Sequence, residues 1–207
     1  MIKLKHFLLG QNLSGKTLIS VDIQPEYIKS FSFRPYQFTN WLNKSYIELN
    51  QIIFLYNGAD TLGMISEQNY KYWLLENELS EEVVDGSIFY DKGYAFFRHC
   101  LDSGLNDDIT VNFVRFMYEN DITDSRDFTR DMWAKYLRLH RKTDKKEAYE
   151  LLKQSGDCVN IPDLMEFLKK YNNLILCGGG KNECLKEVEI ALKALNKPYQ
   201  TYNDFIY

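Results

Sequence analysis

Apolar positions along the chain follow two alternating periods, one of strands and one of helices. Leu18-Ile19-Ser20-Val21-Asp22-Ile23-Gln24 alternates apolar and polar residues, is rich in β-branched side chains and stops at Pro25, so it reads as a strand. Gln51 to Tyr56 is a continuous apolar run ending at Asn57-Gly58, the pattern of a strand buried on both faces. Ser87-Ile88-Phe89-Tyr90 repeats this in shorter form before Asp91-Lys92-Gly93, and Leu174-Ile175-Leu176-Cys177 runs into three glycines. Tyr199 to Tyr207 reads as a last extended piece. Between these runs, Phe38 to Asn50, Gln68 to Leu79 and Ala95 to Leu101 read as helices. Glu183 to Leu195 sets Leu185, Val188, Leu192 and Leu195 at helical spacing before Asn196-Lys197-Pro198 ends it.

Strands alternating with helices predict an α/β fold: a mainly parallel sheet of five or six strands, helices on both faces and right-handed crossovers. One stretch departs from the alternation. From about 109 to 170 the chain reads almost wholly helical, in pieces such as Asp127 to Arg141, Asp144 to Gln154 and Pro162 to Tyr171. No linker rich in Gly, Pro or Ser sets it apart, so it is read as a helical insertion before the penultimate strand, within one domain spanning 1–207.

Composition agrees with a packed domain. The 207 residues are 45% hydrophobic and 26% charged, which argues against disorder. The 15% aromatic share suggests broad, partly wet surfaces and leaves room for a homo-oligomer. No apolar run is long enough to span a membrane, and the apolar stretch within Met1–Leu9 is too short for a signal-peptide core. Cys100, Cys158, Cys177 and Cys184 form no CxxC pair, so a reducing, cytoplasmic setting with free thiols is expected. His6, His99 and His140 are scattered and suggest neither a metal site nor a Ser-His system.

Gly10-Gln11-Asn12-Leu13-Ser14-Gly15-Lys16-Thr17 matches the phosphate-loop pattern GxxxxGK[ST] letter for letter. That mechanism requires a helix after the loop, whereas the residues after Thr17 alternate like a strand. The expectation is therefore a turn leading into the first core strand.

In an open parallel sheet, ligands bind beyond the carboxyl ends of the strands, near the point where strand order reverses. Four loops would meet there: Asp22 to Glu26, Asn57 to Thr61, Asp91 to Tyr94 and Gly178 to Cys184. Val21-Asp22-Ile23-Gln24, then Lys92-Gly93-Tyr94-Ala95-Phe96-Phe97, then a cysteine six residues after a strand-terminal Gly178 form an ordered trio. In this the chain resembles the isochorismatase-like cysteine hydrolases, which include nicotinamidases. The resemblance implies a hydrolase of small amide- or ester-like substrates that needs no cofactor. It implies Asp22 as general base, Lys92 as the group that stabilises charge and Cys184 as nucleophile. Gln24, Asn57, Asp60, Tyr94, Gly178, Gly179 and Gly180 are the candidate substrate-binding positions. A thiol attacks well only when ionised, and a neighbouring lysine and a helix N-terminus both favour that, so an activated Cys184 is expected.

The same loops carry carboxylates. Asp22, Asp60, Asp91 and Glu183 would suit Mg2+ in a nuclease of the PIN-like kind. From Arg126 to Lys153 nine basic residues face five acids, interleaved with Trp133, Tyr136 and Tyr149. Arg126, Arg130, Lys135, Arg138, Arg141, Lys142, Lys145 and Lys146 could track a nucleic-acid backbone. A non-catalytic binding module is the third alternative.

Overall fold

A computed structural model describes residues 12–59, 64–93, 107–122, 129–139 and 161–207. Five strands form its sheet: β1 (Thr17–Val21), β2 (Gln51–Tyr56), β3 (Ile88–Asp91), β4 (Leu174–Gly178) and β5 (Tyr199–Thr201). Their order is β3-β2-β1-β4-β5, and every neighbouring pair is parallel. Seven helices are described: α1 (Pro35–Ser45), α2 (Glu67–Glu76), α3 (Glu81–Asp85), α4 (Asp107–Glu119), α5 (Arg130–Leu139), α6 (Ile161–Lys169) and α7 (Cys184–Ala194).

Successive side chains of a strand face opposite ways, and here they divide between two cores. Ile19, Val21, Ile53, Leu55, Leu174 and Leu176 pack with residues of α4, α5, α6 and α7. Leu18, Ile52, Phe54, Tyr56, Ile175 and Cys177 pack with residues of α1, α2 and α3. The α/β expectation with helices on both faces therefore holds. The long helical segment before β4 is not peripheral: Phe113 and Val114 of α4, Tyr136 of α5 and Met165 and Leu168 of α6 are all fully buried. It is the crossover that carries the chain from the β3 edge past β2 and β1, and it roofs one face on the way. Each such apolar side chain contributes about 1.5–3 kcal/mol of burial.

The first and last strands are shorter than the sequence pattern predicts. β1 ends at Val21 rather than Gln24 because Asp22 turns out of the sheet at φ 49°, and Pro25 opens a 3-10 turn, Pro25–Ser30. Only Tyr199–Thr201 of the final piece pairs with β4. A 3-10 turn at Asn203–Phe205 then drives Phe205 into the core against Phe38 and Trp41. The helix read over Phe38–Asn50 begins earlier, at Pro35, and ends at Ser45 before a separate 3-10 turn at Tyr46–Glu48. The pattern also missed α3, a short helix whose Ser80 side chain accepts from the Val83 amide. The segments Ala95–Leu101 and Asp144–Gln154 lie outside the described residues. No described helix is long and apolar enough to cross a membrane.

Over its described residues, Asn12 to Thr17, the phosphate-loop match resolves as the expected turn; Gly10 and Gln11 lie outside them. The Lys16 amide donates to the Leu13 carbonyl (3.0 Å), Gly15 takes φ 69°, and Thr17 is already the first residue of β1. No helix follows to present amides to a phosphate.

Candidate functional site

The chain leaves β1 toward β2 on one side and returns to β4 on the other, so the strand order reverses between β1 and β4. Asp22 follows β1 there, and Gly178 ends β4 beside it. Two glycines shape the return. Gly178 has φ 77°, and a Cβ at that position would lie 2.3 Å from the Val21 carbonyl. Gly179 has φ 70°, and its Cβ would lie 2.7 Å from the Leu185 nitrogen. Both need glycine, the first to let the loop hug β1, the second to let it hug the start of α7.

Lys92 follows β3 and reaches across the strand ends. Its side chain is fully buried, and Nζ lies 3.1 Å from Asp22 Oδ2 and 3.4 Å from Glu187 Oε2. The ammonium also donates to Asn57 Oδ1 (3.1 Å) and the Gly93 carbonyl (3.2 Å). Burial works against its charge, but the neighbouring Asp22, then Glu187 and Cys184, outweigh it and hold Lys92 well above the usual lysine range. It is a fixed cation.

Asp22 is also wholly buried. Its Oδ2 accepts from Asn57 Nδ2 (3.3 Å), and its carbonyl accepts from the Tyr207 hydroxyl (2.9 Å). No hydrogen bond of ordinary geometry reaches Oδ1. Cys184, the first residue of α7, is 4% exposed. Burial pushes its thiol well above the ordinary range. The charge of Asp22, and its carboxylate as acceptor for the thiol, add to the rise, while Lys92 opposes it. This corrects the expected thiolate: two carboxylates and desolvation outweigh the lysine, and the resting sulfur keeps its proton.

Beyond Cys184 opens a cleft of about 310 Å³, lined by Tyr27, Ser30, Gly180, Lys181, Asn182, Glu183, Cys184 and Tyr207. Tyr207 folds back to form its wall: its amide donates to the Gly179 carbonyl (3.1 Å), and its carbonyl accepts from the Lys181 amide (2.9 Å). The amides of Glu183 and Leu185 both donate to the Gly180 carbonyl, at 2.9 and 3.3 Å, which closes the turn before the helix.

Behind the charged groups sits a scaffold. Gln24 Oε1 accepts from the Asn57 amide (2.8 Å), and its Nε2 donates to the Asn57 carbonyl (3.3 Å) and to Glu26 Oε2 (2.9 Å). Asn57 Nδ2 further donates to the Tyr27 hydroxyl (2.8 Å). Both Gln24 and Asn57 are wholly buried, so the structure puts them behind Asp22 and Lys92 rather than on the cleft wall. Of the other candidate binding positions, Gly180 lines the cleft, Gly178 and Gly179 shape the turn behind it, and Asp60 and Tyr94 lie outside the described residues.

The three metal candidates among the described residues, Asp22, Asp91 and Glu183, are committed differently. Asp22 is paired with Lys92. Asp91 Oδ1 accepts from the Gly58 and Gly93 amides, at 2.8 and 3.2 Å. The Glu183 side chain lies against Gly180. No group of three or more His, Cys, Asp or Glu side chains is placed to hold a metal ion among the described residues. Of the basic candidates, Arg130, Lys135 and Arg138 lie on α5, where Lys135 donates to Asn120 Oδ1 (2.5 Å) and Arg138 to the Ala134 carbonyl (3.2 Å). Arg126, Arg141, Lys142, Lys145 and Lys146 lie outside the described residues.

Three contributors escaped the sequence reading: Glu187, Tyr27 and Tyr207. Only Glu187 left a signal, a carboxylate on the apolar face of α7 one turn after Cys184. The two tyrosines arrive by long-range folding that no local pattern marks. No protein-family model, curated protein or solved structure matches this chain.

Proposed function

We propose that the chain is a hydrolase that cleaves a small amide- or ester-like substrate through a Cys184 thioester. One observation carries the reading: an aspartate, a lysine and a cysteine from three separate segments meet at the strand-order reversal, and Cys184 is among the residues lining a cleft. Such crevices are where open parallel sheets place ligands.

The roles follow from the electrostatics. A resting thiol needs a base, and Asp22 is the carboxylate beside it. As the sulfur adds to the substrate carbonyl carbon, Asp22 takes the thiol proton, and the carbonyl electron pair moves onto oxygen. Collapse of that tetrahedral species breaks the bond to nitrogen or oxygen, and the proton on Asp22 leaves with the amine or alcohol. Water then attacks the thioester with Asp22 again as base, releasing the acid and restoring the thiol. Lys92 is paired with Asp22, and its charge favours the thiolate-like sulfur of the transition state. Cys184 is the first residue of α7, at the positive end of that helix's dipole.

The cleft volume suits a small molecule, and the Tyr27 and Tyr207 rings beside it suit a flat, partly apolar one. A panel of small amides and aryl esters tests the proposal. Hydrolysis by the wild type that is lost in Cys184→Ala and Asp22→Asn supports it; turnover that survives Cys184→Ala sinks it.

A further inference from the structure

The hydrolase reading employs Asp22, Lys92 and Cys184 and gives Glu187 no task. Yet Glu187 is wholly buried on the packed face of α7, beside Val188 and Ala191. A carboxylate in such a place is costly unless it is paired, and an apolar residue would pack there without that cost. It is paired with Lys92, whose Nζ lies 3.4 Å from Oε2. The lysine's three N–H groups thus meet acceptors on four segments: Asp22 after β1, Asn57 after β2, Gly93 after β3 and Glu187 on α7. Glu187 joins this cluster to the helix that carries Cys184.

We propose that Glu187 is a positioning residue that ties the Lys92 ammonium to the cysteine-bearing helix and gives the site one buried carboxylate more than that ammonium neutralises. The inference rests on the hydrolase reading for its purpose, but not for its test. Two consequences follow. Lys92 cannot swing wholly to Asp22, so its charge stays shared between the base and the nucleophile's helix. The surplus negative charge also disfavours a thiolate, so Cys184 stays protonated and unreactive toward adventitious electrophiles until a substrate seats. The charged and titratable groups facing the sulfur are Asp22 from the β1 end, Lys92 from the β3 end, Glu187 on its own helix and Tyr207 from the returning segment. Lys181 and Glu183 stand in the adjoining cleft.

The test reads Cys184 alkylation by iodoacetamide against pH, followed by peptide mass spectrometry in the intact chain, with buried Cys177 as the internal control. In the wild type, Cys184 is expected to label more slowly at pH 8–9 than the same residue in the urea-unfolded chain. Glu187→Gln keeps the side chain's shape and removes its charge; it is expected to accelerate Cys184 labelling at a given pH by about tenfold, equivalent to a one-unit shift in thiol ionisation. Cys177 labelling should stay unchanged. An unchanged Cys184 profile in folded Glu187→Gln overturns the proposal, as does acceleration of both cysteines together, which marks mere loosening of the fold. If Glu187→Gln does not fold, the wild-type comparison decides: native labelling faster than unfolded overturns it. Alkylation needs no turnover, so a shifted profile with no hydrolysis of any substrate would sink the hydrolase reading and leave the positioning role standing.

Discussion

Replacing Lys92 by methionine removes the ammonium that Asp22 and Glu187 share while keeping most of the buried stem. The two carboxylates are then left facing each other with both side chains shielded from water. Breaking a buried ion pair from one side costs about 3–5 kcal/mol, because the partner's charge remains without compensation. Here two partners are stranded, so the upper part of that range is expected, and proteins of this size have only about 5–15 kcal/mol to lose. Urea unfolding followed by circular dichroism measures it. The sign with pH is also fixed. A carboxylate stranded in the core holds its proton more tightly than in the unfolded chain, so the folded variant binds more protons. Its deficit should therefore be smallest below about pH 4 and grow as pH rises through the ordinary carboxylate range. Adding Asp22→Asn and Glu187→Gln to Lys92→Met should recover much of the loss, since neutral amides no longer need the cation. A Lys92→Met variant within about 1 kcal/mol of the wild type at pH 7 would refute the reasoning, because it would place Lys92 in contact with solvent.

Gly178→Ala should destabilise by about 2–4 kcal/mol in the same assay, since its Cβ would meet the Val21 carbonyl and its φ of 77° suits glycine alone. A loss below about 0.5 kcal/mol would contradict the tight turn between β4 and α7. Tyr207→Phe removes one hydrogen bond to the Asp22 carbonyl and should cost about 0.5–1.5 kcal/mol. If the Asp22 turn depends on that bond, turnover should fall more than stability does. Stability of the wild type should decline on the alkaline side in two stages. Cys184 and Cys177 hold their protons more tightly when folded, the latter up to about 12, so stability is lost as the unfolded thiols ionise from about pH 8.5. Lys92 is raised as well, so its contribution is complete below about pH 10.4 and lost as pH climbs beyond it. A flat profile between pH 8 and 11 would contradict both assignments.

The sheet was legible because burial on two faces leaves unmistakable apolar runs, as at Gln51–Tyr56 and Leu174–Cys177. Its ends were less so. Asp22 leaves the sheet at a positive φ that no residue-type pattern announces, and the apolar Ile23 beyond it mimics another strand position. Phe205 misled in the same way, since its burial comes from a 3-10 turn under α1 rather than from pairing. Asp22, Lys92 and Cys184 were marked by their places at the ends of predicted elements, which is where a parallel sheet gathers its loops. The raised pKa of the Cys184 thiol was not, because it depends on depth and on Glu187, and both emerge only when α7 packs against the sheet. Gln24 and Asn57 illustrate the converse. They carry polar chemistry at strand ends, but the chain uses it to clamp two loops together.

The most direct measurement is capture of the acyl-enzyme. The wild-type chain is mixed with an activated aryl ester, quenched in acid within the first turnover and digested for peptide mass spectrometry. An acyl group on Cys184, absent from Cys184→Ala and accumulating alongside a burst of released phenol, is the predicted result. Phenol release with no adduct on Cys184, or an adduct formed equally well on Cys177, would contradict the account.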